Sequence, residues 1–211
     1  MTEEKDIKQR IALKADEMFR QHGYSKITME EIASSLAISK KTLYKHYSNK
    51  EHILKELVHS NKCEVDNFIE KLIANKEMMF LEKLKSFMNF IAKQASKLEG
   101  PMVRDLMKSN PEIWKDIEEF RSKKAYKHLS SLITEGIANG VFRKDVNSEV
   151  IVAAYVASIH SLINPEVLAK LPITADQAIS DILKILFEGI FTKEGRENYY
   201  SIIENYGDST L

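Results

Sequence analysis

Residues 28–51, TMEEIASSLAISKKTLYKHYSNKE, allow few folds. Thr28 and Glu31 form a T-x-x-E capping box, in which the hydroxyl takes an orphan backbone N–H and the carboxylate reaches back. Ile32, Ala33 and Leu36 then fall on one helical face. Ala37 and Ile38 make a turn, Ser39 caps a second short helix, and Leu43 and Tyr47 are i, i+4 partners that pin this helix to the first. The outward face of that second helix presents Lys40, Lys41, Thr42, Tyr44, Lys45 and His46. These supply donors for phosphates and base edges and no carboxylate of their own, so the pair of helices predicts a helix-turn-helix for double-stranded DNA.

The positions Phe19, Gly23, Thr28, Ile32-Ala33, Ser39, Thr42-Leu43-Tyr44, Tyr47 and Lys50-Glu51 together resemble the amino-terminal signature of TetR-type transcriptional regulators, over about residues 6–57. Ala37 stands where that pattern usually has Gly, Lys41 where it has a small residue, and Tyr47 where it has Phe. Ala37 makes the turn less permissive, because a Cβ disfavours left-handed backbone. By this resemblance Thr28, Tyr44 and Lys50 lie where phosphates are held, and Lys40, Lys41, Thr42 and His46 where base edges are read. Ser39 and Lys45 complete the expected DNA-binding set.

The 211 residues carry no formal net charge, with 44% hydrophobic and 29% charged side chains, which suits an ordered protein with a sizeable core. Charge is nevertheless local. Residues 39–62 hold Lys40, Lys41, Lys45, Lys50, Lys55 and Lys62 against Glu51 and Glu56, so the field is basic where DNA would sit. No stretch approaches the roughly 20 apolar residues of a membrane span, and the start, MTEEKDIKQR, lacks a signal peptide's apolar run, so a cytoplasmic protein is expected. Cys63 is the one cysteine, which excludes an intrachain disulfide and any multi-cysteine metal site.

Only 7 Gly and 4 Pro interrupt the chain, and alternating strand patterns with hairpin dipeptides are missing, so the expectation is an all-α protein. A first helix is predicted over 6–21, burying Ile11, Ala15, Met18 and Phe19, and stopping at His22-Gly23. Asn49 or Ser48 opens a long helix over 50–73. Further helices are predicted at about 79–98, briefly after Gly100-Pro101, over 111–138 with Asn110 capping and Pro111 in the first turn, over 150–163, and over 175–191 behind a Thr174–Gln177 capping box. A short helix is expected near 198–205, with the remaining tail to Leu211 frayed. The expected domains are a three-helix DNA-binding head at 1–48 and a helical regulatory, ligand-binding and dimerisation domain at 49–211.

Thioethers and aromatics crowd residues 78–126. Because flexible Met and flat rings suit an adaptable apolar pocket, Phe87, Met88, Ile91, Met102, Met107, Trp114, Tyr126 and Tyr155 are the candidate ligand residues, with core filling as the plainer reading of each. The helices at 150–163 and 175–191 carry more apolar surface than one core needs. Val150, Ala154, Ala157, Ile179, Leu183, Leu186, Phe187 and Ile190 are therefore the candidate dimer interface. His52 and His59 lie a heptad apart and lack metal-ligand spacing; His128 and His160 are read as ordinary histidines. There is no G-x-S-x-G, P-loop or dinucleotide fingerprint, so no enzyme and no cofactor is expected. The expectation is a ligand-responsive repressor that binds a pseudo-palindromic operator as a homodimer and is released by a small, largely apolar effector. A DNA-binding adaptor that localises a protein partner and a helical ligand carrier that has lost DNA binding are the alternatives.

Overall fold

The computed structural model describes residues 2–98, 100–162, 165–168 and 170–205. The described residues form helices joined by short connections, with one isolated antiparallel bridge between Phe142 and Phe191. In chain order the first helices are α1 (Thr2–His22), α2 (Met29–Ser35), α3 (Lys40–His46) and α4 (Lys50–Ala74). Then come α5 (Phe80–Ser96), α6 (Pro101–Ser109), α7 (Pro111–Ala138) and α8 (Ser148–Leu162). The last are α9 (Pro165–Leu168), α10 (Ala175–Ile190) and α11 (Lys193–Asn205). Among the described residues no helix is long and apolar enough to cross a membrane.

The chain divides into two compact units. The first comprises Met1–Val65 and Glu99–Glu119. Its core takes Ile11, Ala15 and Phe19 from α1, Ile32 and Ala33 from α2, Leu43 and Tyr47 around α3, and Ile53 and Leu54 from α4. Met102 and Leu106 of α6 close that core, because α6 lies along α1. The compact unit is therefore larger than the three helices at 1–48: a short trihelical head exposes an apolar flank, and α6 covers it.

The second unit comprises Asp66–Leu98 and Phe120–Leu211. Within it α10 packs on α5 and α8, and α11 packs on α5. Phe142 is the centre of an aromatic cluster. It stacks on Phe187 at 5.6 Å, meets Phe80 edge-on at 5.5 Å, and lies 5.5 Å from Phe191. Gly136 makes room for it, since a Cβ there would stand 2.2 Å from the Phe142 ring. Two cation-capable side chains are buried in this unit. Lys83 donates to Glu135 Oε1 at 2.6 Å and to the Ile73 carbonyl at 3.4 Å, and His128 Nε2 lies 3.2 Å from Asp66, which also holds Lys124.

Helix α7 has the expected limits, whereas α1 begins four residues earlier and α11 starts at Lys193 rather than near 198. The expected helix end at Ile163 and the expectation for residues 206–211 lie outside the described residues.

Candidate nucleic-acid interface

The interface begins with a turn that has to be held still. Gly23 ends α1 with φ 92°, and its N–H donates to the Phe19 carbonyl at 2.9 Å. A Cβ at Gly23 would come within 2.5 Å of Asp105 Oδ2, the oxygen that accepts the Ser25 N–H at 2.9 Å. Ser25 and Ser109 share a hydroxyl hydrogen bond of 3.0 Å. On the other side, Lys50 Nζ donates to the carbonyls of Tyr24 at 2.6 Å and Ile27 at 2.7 Å and lies 4.3 Å from the Tyr24 ring centroid. Residues 24–27 are thus bound from α6 and from α4, and they deliver the chain to α2 in one geometry.

Thr28 then makes the capping box. Its N–H donates to Glu31 Oε2 at 2.7 Å, its hydroxyl donates to the same oxygen at 2.9 Å, and the Glu31 N–H returns a bond at 3.2 Å. The backbone bond from Thr28, joined by its hydroxyl, holds the Glu31 carboxyl below its ordinary value. The turn to α3 passes through Ala37 at φ 53°, a left-handed conformation that an L side chain adopts at a cost of about 1–2 kcal/mol. Ser39 Oγ accepts the Thr42 N–H at 3.0 Å and lies 2.8 Å from Thr42 Oγ1. Leu43 and Tyr47 are buried, and the Tyr47 hydroxyl donates to Glu56 Oε1 at 2.9 Å. Burial first, and then that bond, push the Tyr47 phenol far above its ordinary value, so it stays a neutral donor.

This packing leaves one face of α3 for a partner. Ser39, Lys40, Lys41, Tyr44 and Lys45 are exposed, and Thr42 and His46 are half-buried. Lys40 pairs with Glu30 at 3.1 Å and Lys45 with Glu4 at 2.7 Å. Lys41 has no hydrogen-bond or ion-pair partner among the described residues. Lys50 differs from the rest of the expected DNA-binding set. Its ammonium is committed to carbonyl oxygens, and desolvation lowers its pKa against the opposing pull of Asp105 and Glu31. Asp105, Glu30 and Glu4 lie outside the set expected from sequence. Nothing local marks them, because each acts on residues far along the chain or on another helix.

The candidate ligand residues are divided between the units. Phe87, Met88 and Tyr155 are buried in the second unit, with Ile91 half-buried and Tyr126 exposed. Tyr199 donates to Met88 Sδ at 3.2 Å, and burial pushes the Tyr155 phenol up to about 12. Met102 packs in the core of the first unit, where Met107 is half-buried and Trp114 buried.

The candidate dimer residues are also divided. Ile179, Leu183, Phe187 and Ile190 face inward at 5% exposure or less, so they fill the chain's own core and offer no interface. The outward faces carry Val150, Ala154 and Ala157 on α8, and Ile185, 74% exposed, beside half-buried Leu186 on α10. Helix α8 is apolar nearly all round, so periodicity alone does not choose its inner stripe, whereas α10 keeps an amphipathic rhythm broken by Asp181, Lys184 and Glu188 and still sets Ile185 outside it.

Among the described residues no group of three or more His, Cys, Asp or Glu is placed to hold a metal ion. Exposed Cys63 has its sulfur 3.6 Å from His59 Nε2, one turn away on α4.

Residues 11–57 match the model of bacterial regulatory proteins of the tetR family. The uncharacterized HTH-type transcriptional regulator YvaF of Bacillus subtilis (strain 168) is 26% identical over 185 residues, covering 88% of this chain and 96% of that protein. Among solved structures, the fatty acid degradation regulator FadR of Bacillus halodurans superposes with a TM-score of 0.62 at 21% identity, over 86% of this chain and 95% of that one. The SmeT–triclosan complex superposes at 0.65 and 13% identity, over 89% and 93%. At such identities the structures establish the fold.

Proposed function

We propose that this chain is a TetR-type transcriptional regulator rather than an enzyme, a cytoplasmic repressor that binds a pseudo-palindromic operator as a homodimer. The observation that carries this reading is the face of α3. A capped, packed helix turns Lys41, Thr42 and Tyr44 outward while Leu43 and Tyr47 anchor its back. A helix so mounted enters the major groove, where a lysine reaches guanine O6 and N7 and a contact of that kind discriminates by about 1–3 kcal/mol when bidentate. Thr28, Ser39, Lys40, Lys45 and His46 add donors around it, and Lys50 serves by fixing the loop before Thr28.

Two such heads need a two-fold partner. The outward apolar stripe of Val150, Ala154 and Ala157, with Ile185 and Leu186, supports a face-to-face pairing of α8 and α10 between two copies. The operator half-sites then lie about 34–36 Å apart. Release comes from a small, largely apolar effector held in the second unit near Phe87, Met88, Ile91 and Tyr155; SmeT was solved with triclosan, a molecule of that kind. Because α4 supplies Ile53 and Leu54 to the first unit and Ile69 and Leu72 to the second, a shift at one end of this helix is available to the other.

The test is selection of duplex from a random pool, followed by titration. Wild-type protein is expected to enrich a two-fold sequence and to lose affinity steeply with salt. Lys41→Ala should relax base preference at one position in each half-site. Failure to enrich any sequence, with the protein folded, ends the DNA reading. Compounds that raise the melting temperature are then titrated against the operator complex; if every one leaves operator affinity unchanged, the effector reading fails and the adaptor becomes the better account.

A further inference from the structure

The reading helix is restrained electrostatically at both ends. Its first residue, Lys40, is paired with Glu30 of α2, and Lys45 in its last turn is paired with Glu4 of α1. All four side chains are largely exposed, between 47% and 66%, so packing does not impose these pairs. Both carboxylates belong to neighbouring helices, while α3 itself carries none. The bond from Lys40 holds the Glu30 carboxyl below its ordinary value, and the bond from Lys45 does the same for Glu4. Each is therefore a fixed negative charge beside a surface that has to approach phosphates.

Phosphate attraction supplies nearly all of the affinity for arbitrary duplex, whereas an operator complex adds contacts to base edges. A carboxylate that occupies a lysine, and that repels the backbone when displaced, subtracts mainly from the sequence-independent part. Discrimination built on a repulsive element raises the difference between two affinities at some expense to both. Lys41, which has no such partner among the described residues, keeps its reach toward the groove. We propose that Glu4 and Glu30 are specificity-determining residues, which withhold Lys45 and Lys40 from DNA phosphates and so weaken binding to arbitrary duplex more than binding to the operator. This rests on the reading of α3 as the DNA-contacting helix.

The experiment uses the full chain, its own selected operator and a scrambled duplex of equal length, titrated across salt for wild type, E4Q, E30Q and the double variant. Each single substitution is expected to tighten scrambled-duplex binding by about three- to tenfold near 0.1 M salt and to steepen the log–log salt slope by up to about one unit. The operator should gain less, so the specificity ratio falls, most in the double variant. E119Q on α7 removes an equal charge from an exposed pair with Lys115 and should change neither affinity. E30D keeps the charge on a shorter stem and should fall between wild type and E30Q, which guards against a fault particular to Gln. A specificity ratio unchanged in E4Q and E30Q, or an equal gain with E119Q, overturns the proposal while leaving the DNA reading intact. A wild-type protein that does not prefer its selected operator overturns the DNA reading itself.

Discussion

Lys50 in the first unit is partly desolvated and Lys83 in the second is buried, and their ammoniums are held by different chemistry. In the first, Lys50 donates to the neutral carbonyls of Tyr24 and Ile27 and lies over the Tyr24 ring. In the second, Lys83 is 2% exposed and is neutralised by Glu135 at 2.6 Å. A cation on carbonyl dipoles orders the loop that supplies them. A cation on a carboxylate ties two helices, α5 and α7, and leaves a large desolvation penalty uncompensated if one partner goes. The first unit thus uses this charge to order a loop, and the second uses its own for cohesion.

The sharpest way to break that contrast is Glu135→Gln. It leaves the buried Lys83 without a counter-charge, and removal of one partner of a buried pair costs about 3–5 kcal/mol. Because the Glu135 side chain is 31% exposed, the lower end is expected. The converse change, Lys83→Met, leaves a carboxylate that turns to water and should cost less. Urea unfolding of both variants measures the asymmetry; equal losses would mean that the lysine is not the buried partner that matters.

Lys50→Met comes next. Loss of charge-assisted bonds to the loop should destabilise the first unit by about 1.5–3 kcal/mol. Operator affinity should fall with it, but the slope of log affinity against log salt should hold, since this ammonium serves carbonyls. Lys41→Ala should instead change base preference while leaving the melting temperature alone. A salt slope flattened by one unit in Lys50→Met would show that the ammonium leaves its loop for a phosphate, and the contrast between the units would then weaken.

The smallest effect concerns protons. Burial lowers the pKa of His128, and the bond and charge of Asp66 do not restore it. The unfolded chain therefore takes up a proton at this residue below about pH 6.5, while the folded chain still excludes it. Stability is complete above the ordinary imidazole value and is lost as pH falls through the folded one. Asp66 adds nothing in that window: desolvation raises its pKa, but the bonds from Lys124 and His128 outweigh this and lower it, so its loss comes in stronger acid. Urea midpoints from about pH 7.5 down to 5 should decline in wild type and decline less in His128→Asn. The first unit buries no histidine among the described residues, so Lys50→Met should leave that decline unchanged.

Legibility in the sequence tracks the range of the interactions. Thr28 with Glu31, Ser39 with Thr42, and Thr174 with Gln177 are bonds across three residues, and the residue types at that spacing declare all of them. The same holds for the span of α7, bounded by Pro111 and by Asn139-Gly140. Lys50 reads as a phosphate contact because its position matches a motif, yet the carbonyls it bonds lie 23 and 26 residues earlier. On α10 the periodicity is visible, but the helix has apolar residues on two faces. What the periodicity does not say is that the stripe of Ile179 and Leu183 packs on α5 and α8 of the same chain, with Ile185 turned out.

The interleaving of the two units has a consequence during synthesis. The first unit is completed by residues up to 119, after the chain has left it at Val65 and passed through the start of the second. A ribosome adding about 5–20 residues per second needs roughly 3–11 s to cover that interval. Until α6 has been added, the core of α1 to α4 lacks Met102 and Leu106, which belong to the same apolar cluster as Phe19 and Tyr24. The order of translation therefore leaves the apolar core of the first unit incomplete for seconds while its remaining residues are added.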